Sequence, residues 1–170
     1  MTGVSFRPAI DADAPTLVDL YNRYIITSTV TFDLDPWSAE NMAHKIEAVS
    51  KLGMPFIVAE RDGELIGYAY LSTFREKAAY DTTMENTLYL REEARGAGIG
   101  GSMLEELLRL GAVAGVREVV AVIANTPDAD PSIRLHHKAG FVRVGEMDGV
   151  GRKFDKWIGV VLMQKSLPRE

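Results

Sequence analysis

Arg95-Gly96-Ala97-Gly98-Ile99-Gly100-Gly101 follows an apolar run, Thr87-Leu88-Tyr89-Leu90, and precedes a helical pattern carried by Met103, Leu104, Leu107, Leu108 and Leu110. A stretch so rich in glycine does not fill a core. It lets backbone pass close to another molecule with its N–H groups pointing outward. The first turn of a helix has unpaired N–H donors and about half a positive charge, so the natural guest of such a loop is a phosphate or pyrophosphate. As a string, Gly96-x-Gly98-x-x-Gly101 also matches the dinucleotide fingerprint. Two features oppose that reading. Arg91 to Arg95 separate the strand from the loop, with half of the chain before them, and no acidic residue ends the next strand, although Asp128 is not far beyond. A P-loop fits less well, because no Lys-Ser/Thr follows the last glycine. A glycine-rich turn that holds nothing is the remaining alternative.

Outward from the loop, the chain alternates strand and helix signals. Upstream, Ser5 to Ala9 reads as a strand, and Asp11 and Asp13 offer caps to a helix carrying Leu17, Val18, Leu20, Tyr21, Tyr24 and Ile25, with Pro15 in its first turn. Thr27 to Asp35 reads as a loop, and Ser38 caps a second helix reaching about Leu52. Phe56 to Glu60 and Leu65 to Leu71 are strands joined at Asp62-Gly63, a strong hairpin signal. Phe74 to Met84 is polar and irregular, and Glu85 to Leu90 is the strand that enters the glycine loop. Downstream, Gly111 and Gly115 mark the frayed end of the loop's helix. Glu118 to Ala124 is a buried-type strand, Asn125 to Pro131 a loop, and Ser132 to Ala139 a short helix stopped by Gly140. Phe141 to Met147 and Ile158 to Gln164 close the chain as strands. The order predicts an α/β fold on a single mixed sheet flanked by helices on both faces, one domain over residues 1–170.

The 170 residues are 46% hydrophobic and 25% charged, an ordinary globular balance, with a net charge of −5. An acidic chain lacks the basic face that nucleic acid or an anionic membrane selects, so neither is expected as a partner. There is no cysteine, which removes disulfides, thiolate metal sites and a cysteine nucleophile, and fits a reducing, cytoplasmic setting. No leader-like segment opens the sequence, and no apolar run approaches the ~20 residues of a membrane span.

Arg95-Gly96-Ala97-Gly98-Ile99-Gly100 resembles the Arg/Gln-x-x-Gly-x-Gly/Ala signature of the GNAT acetyltransferases. Ser132-Ile133-x-Leu135-His136-x-x-x-Gly140-Phe141 resembles the second motif of that family, in the right order and separated by a helix and a strand. Three further stretches resemble the phosphinothricin and methionine-sulfone acetyltransferase branch. They are Phe74 to Asp81 running on through Thr83 to Leu90, Asn22 with Ser28 to Phe32, and Gly149 to Trp157. The similarity runs from about Phe6 to Gln164. It implies the GNAT fold, mainly antiparallel in its sheet, acetyl-CoA as co-substrate, no metal, a small amino-acid-like amine as acceptor, and a homodimer. One departure stands out: many members carry Asn three residues before the second motif's Ser, where this chain has Ala129, leaving Asn125 or Asp128 to substitute.

The implied reaction is attack of an amine on a thioester. The amine must lose a proton, the thiolate leaves more easily when hydrogen-bonded, and no covalent nucleophile is needed. Glu85 opens the strand that leads to the glycine loop, and the resemblance places the general base there; a plain salt-bridged Glu at a strand start is the alternative. His136 stands where many GNATs have a Tyr that protonates the thiolate, and an imidazole serves as acid, base or simple hydrogen-bond partner. His137 points to another face. The cations Arg75 and Lys77 suit an anionic group on the acceptor. Asn86 and Thr87 are polar contacts, and Phe32 and Lys153, with Tyr80, Phe154 and Trp157 ranked lower, line the pocket. For the co-substrate, main-chain groups of Leu88, Tyr89 and Leu90 hold the pantetheine and Arg95, Gly96, Ala97, Gly98, Ile99, Gly100 and Gly101 the pyrophosphate. Ser132 caps its helix and touches CoA. The runner-up reading is a GNAT acting on a protein N-terminus, a polyamine or an antibiotic, and a non-catalytic CoA-binding module is a different class.

Overall fold

The computed structural model describes residues 3–168. Strand β1 (Val4–Pro8) is followed by helices α1 (Ala14–Thr27) and α2 (Ala39–Lys51), then by the hairpin of β2 (Phe56–Arg61) and β3 (Glu64–Thr73). Strand β4 (Thr83–Leu90) leads through the glycine loop into α3 (Ile99–Val113). Then come β5 (Glu118–Ala124), α4 (Asp130–Lys138), β6 (Val142–Lys153) and β7 (Lys156–Ser166). The strands form one sheet in the order β1-β2-β3-β4-β5-β7-β6. Every neighbouring pair is antiparallel except β4 with β5.

Alternation along the strands sends apolar side chains to both faces, and each face has its own core. On one face α3 buries Met103, Leu104 and Leu107 against Ile57, Leu71, Val119 and Val161. On the other, α1 and α2 bury Leu17, Tyr21, Ile25, Met42 and Ile46 against Phe56, Val58 and Tyr68. Aromatic rings dominate the second core, with Tyr68 stacked at 5.7 Å from Phe56 and Tyr21 tilted at 5.1 Å from Tyr89. Of the two helices on this face, α2 is capped by a side chain. Ser38 accepts from the Asn41 N–H at 3.1 Å, as its capping role requires.

Several expectations change. Asp13 does not cap α1 with its side chain. The Arg7 guanidinium takes it at 2.8 Å, holding its carboxylate below the usual range, and it accepts from the Ile10 N–H at 2.9 Å. Gly111 is no frayed end but a buried residue inside α3, where a Cβ would stand 2.6 Å from Leu71 Cδ1. The short helix α4 starts at Asp130 rather than Ser132, with Pro131 inside its first turn, where its missing N–H costs nothing. Strand β6 continues through Gly149 to Lys153, well past Met147.

The one parallel pair is also the weakest seam. β4 and β5 are in register only at Thr83–Glu118, Met84–Val119 and Glu85–Val120. Beyond that, β4 stays with β3 as far as Leu90 and β5 stays with β7 as far as Ala124. The sheet therefore splits between Asn86–Leu90 and Ala121–Ala124, and β4 loses its partner along that edge.

Candidate active site

A cleft of about 540 Å³ fills the split. Its walls are Glu85 to Leu90 of β4 and Ala121 to Ala124 of β5, and it reaches Arg95, Gly96, Gly98, Gly100 and Gly101 at one end. Glu85 to Leu90 spans roughly 17 Å of extended chain. The cleft thus runs from a carboxylate to a glycine loop along an unpaired strand edge, a shape suited to a long, extended ligand with an anionic end.

The loop owes its shape to two residues in left-handed backbone, Gly96 and Gly98, each at φ +79°. Gly98 is the N-cap of α3, and no side chain caps the helix. The N–H groups of its first turn, at Ile99, Gly100 and Gly101, are left without intrahelical partners and add the positive end of the helix dipole. A Cβ at Gly101 would meet nothing within 4 Å, so that position is open. Ile99 points inward and is 6% exposed, while Ala97 is exposed and outside the lining. Arg95 turns back onto α1: its guanidinium lies over the Tyr24 ring at 5.2 Å and donates to Tyr24 Oη at 2.6 Å. Tyr24 in turn donates to the Leu90 carbonyl at the end of β4.

Alternation on β4 divides the remaining groups between two faces. Met84, Leu88 and Leu90 pack into the core under α3, and Tyr89 into the core under α1 and α2. Asn86 shares the first face and meets His136 from α4. His136 is buried, 3% exposed, with its ring edge-on to Phe141. Its Nδ1 lies 2.8 Å from the Ser132 carbonyl oxygen, which can only accept, so Nδ1 carries the hydrogen. Nε2 lies 2.9 Å from Asn86 Nδ2 and accepts from it. Burial also pushes the imidazole's pKa down, and the neutral ring is the form this network satisfies. The Asn86 Oδ1 is itself buried with no partner. Ser132, expected as a cap, is the third residue of α4 and serves through its carbonyl.

Glu85 and Thr87 share the opposite face. Glu85 is half-buried, and burial pushes its carboxyl up from the ordinary range, with the charges of Arg75 and Lys45 opposing. No protein donor lies within hydrogen-bonding distance of the carboxylate among the described residues. Tyr70, opposite Thr87 in the β3–β4 register, forms the adjoining wall.

The loop of residues 28–38 crosses above this end. Tyr21 Oη lies 2.7 Å from Thr31 Oγ1 and donates to Asp33 Oδ2 at 2.6 Å, and Asn22 exchanges two hydrogen bonds with the Trp37 backbone. Thr31 and Phe32 line the cleft. Lys153 does not: it is 4% exposed, and its ammonium donates to the Thr31 carbonyl at 2.9 Å. Phe32 lies against Gly151, where a Cβ would collide with its ring. Arg75 and Lys77 are exposed beyond the rim and do not line the cleft; Arg75 acts on Glu85 through its charge. Tyr80, Phe154 and Trp157 are exposed too. At the departure from the family pattern, Ala129 is buried in the cleft wall. Asn125 faces Glu146, and Asp128 lines the cleft with its Oδ2 3.4 Å from Thr29 Oγ1. Tyr21, Tyr24, Thr31 and Tyr70 are lining residues that the sequence reading did not assign to the site.

The acetyltransferase (GNAT) family model matches residues 17–141, a span from α1 to the end of α4 that contains the whole glycine loop. The chain belongs to the GNAT acetyltransferase family. It is 35% identical over 161 residues to the phosphinothricin N-acetyltransferase of Alcaligenes faecalis, covering 95% of this chain and 81% of that one. It is 32% identical over 164 residues to the L-methionine sulfoximine/L-methionine sulfone acetyltransferase of Pseudomonas paraeruginosa, covering 96% and 94%. The fold matches the crystal structure of a GNAT superfamily phosphinothricin acetyltransferase from Sinorhizobium meliloti in complex with acetyl-CoA. The TM-score is 0.92 at 35% identity, over 98% of this chain and 89% of that one. The protein is therefore a GNAT-fold acetyltransferase, and no helix among its described residues is long and apolar enough to cross a membrane.

Proposed function

We propose that this GNAT enzyme transfers the acetyl group of acetyl-CoA to the α-amino group of a small amino acid or analogue of the methionine sulfone, methionine sulfoximine or phosphinothricin type. The observation that carries the reading is the placement of Glu85. It is a carboxylate in the wall of a cleft whose other end is the glycine loop, it has no protein hydrogen-bond donor among the described residues, and the chain's similarity to enzymes named for such acceptors covers this whole region. The loop's free N–H groups and the N-terminus of α3 would hold the pyrophosphate, and the unpaired edge of Leu88, Tyr89 and Leu90 the pantetheine.

Glu85 acts as the general base, directly or through water, and takes the proton of the acceptor ammonium before attack. Its pKa, raised by burial, brings it closer to that of the proton it removes. On the other face of β4, neutral His136 holds the Asn86 amide, whose N–H stabilises the departing thiolate. His136 works by positioning, because both of its nitrogens are engaged. Thr87 and Phe32 shape the acceptor end, with Arg75 acting from the rim through its charge, and the rate gain rests largely on holding amine and thioester in line. Incubating the purified protein with acetyl-CoA and a panel of amino acids, while free thiol is measured, tests the reading. Release with methionine sulfone, methionine sulfoximine or phosphinothricin is expected. Tight acetyl-CoA binding with no thiol release on any member would sink it.

A further inference from the structure

Among the described residues, two cations near the acceptor end of the cleft have no salt-bridge partner. Arg75 and Lys45 are absent from every ion pair the molecule makes, which join Arg7 to Asp13 and Glu60, Lys51 to Glu47, Arg109 to Glu106, Arg143 to Glu146 and Arg152 to Asp155. Arg75 is exposed and stacked on Phe74, with 5.1 Å from guanidinium to ring. Lys45 is different. It belongs to α2, it is half-buried, and its ammonium stands over the Tyr70 ring at 5.6 Å. A partly desolvated ammonium is attracted by such a face and still lacks a counter-ion.

The sheet register fixes what lies beside it. Tyr70 pairs with Thr87 and Ser72 with Glu85, so Tyr70 and Glu85 are diagonal neighbours on one face of the β3–β4 ladder. Both line the cleft. Lys45 thus sits on the ring that neighbours Glu85, and its charge acts on that carboxylate. An α-amino acid carries an ammonium and a carboxylate on one carbon. With the ammonium at Glu85, two cations act on this end: Arg75, exposed at the rim, and Lys45, half-buried and seated on the Tyr70 ring that lines the cleft.

We infer that Lys45 recognises the α-carboxylate of the acceptor, setting the preference for free amino acids over their uncharged derivatives. The inference rests on the proposed amino-acid acetylation and deepens it: the acceptor class is a zwitterion, read by Glu85 at one pole and Lys45 at the other. Arg75 is left to the side chain.

The test compares L-methionine sulfone with its carboxamide, which keeps the amine and side chain and loses the charge. In the wild type both are assayed against saturating acetyl-CoA. Lys45→Met keeps the stem over Tyr70 and removes the ammonium. The expected result is a KM for the acid about tenfold higher, with the carboxamide KM within about twofold, the acetyl-CoA KM unchanged, and Lys45→Arg restoring the acid's advantage. A lysine that merely covers Tyr70 would move both acceptors by the same factor, and that outcome, or no change for either, overturns the inference. Thermal melting of the variants checks that they are folded. Should the wild type acetylate no amino acid, the function proposed above fails and this inference with it; a wild type that works with an unchanged acid-to-amide ratio in Lys45→Met overturns this inference alone.

Discussion

Glu85 and His136 sit on opposite faces of one strand junction, and their surroundings differ in kind. The carboxylate is half-buried, without a protein hydrogen bond among the described residues, with the charges of Arg75 and Lys45 acting on it. The imidazole is buried, with Nδ1 tied to the Ser132 carbonyl and Nε2 to the Asn86 amide. A group that exchanges protons with a substrate needs a free lone pair or hydrogen and a path to the cleft; Glu85 has both. A group whose two polar atoms are saturated by protein orients its neighbours instead. Side-chain chemistry alone would rank the two the other way, since histidine has the more convenient ordinary pKa. Their environments decide between them.

The comparison breaks most readily at Glu85. Glu85→Gln keeps shape and polarity and removes the base, so kcat should fall about a hundredfold or more while the acetyl-CoA dissociation constant stays within a factor of about two. The acid limb of kcat/KM, placed above the ordinary carboxylate range by burial, should vanish with it. Turnover that survives in Glu85→Gln would reverse the assignment and return the proton to His136.

A finer division separates His136 acting itself from His136 acting through Asn86. Asn86→Ala frees Nε2 toward the cleft. A proton-donating His136 would then keep its activity, whereas a His136 that only holds the amide loses its purpose. On the positioning account Asn86→Ala and His136→Phe each lower kcat by about tenfold, the worth of roughly one hydrogen bond, and the double variant loses no more than either single one. Additive losses in that cycle would mean that the two residues act independently.

Much of this arrangement is legible from local chemistry. The Asp62-Gly63 turn, the Ser38 cap, the β5 run and the glycine loop each carry their own signal, because the backbone geometry they need is written in the residues that adopt it. The strand-to-helix order around Gly96 to Gly101 follows from the same logic. What lies beyond reach is set by packing between distant segments. Tyr21, Tyr70 and Lys45 read as ordinary helix and strand residues until α1 and α2 dock on β3. Lys153 reads as a pocket cation until the β6–β7 hairpin turns its ammonium onto the Thr31 carbonyl, 122 residues away. The start of α4 was obscured by Pro131, which marks a loop end as readily as a first helical turn. The split of β4 from β5, which makes the cleft, has no sequence signal at all: it is a register that stops after three pairs.

The smallest expected effect sets the two groups against each other in stability rather than rate. Burial lowers the pKa of His136 from its ordinary 6.5, so below pH 6.5 the unfolded chain takes up a proton that the folded one refuses. Stability on this account is full above pH 6.5 and is lost as pH falls from there through the folded-state value. Glu85 has the opposite sign. Its folded pKa is raised above 4.5, so the folded state holds a proton that the unfolded chain has released, and stability is lost as pH rises from 4.5 through the raised value. Denaturant unfolding of the wild type, His136→Phe and Glu85→Gln across pH 4.5 to 7.5 isolates each slope as a difference curve. The stability of His136→Phe relative to wild type should climb as pH falls below 6.5; that of Glu85→Gln should climb as pH rises above 4.5. Both shifts come from burial, which disfavours the charged form of each group; two difference curves of the same sign would mean that one of the two is held in its charged form, and the account of its surroundings would fail.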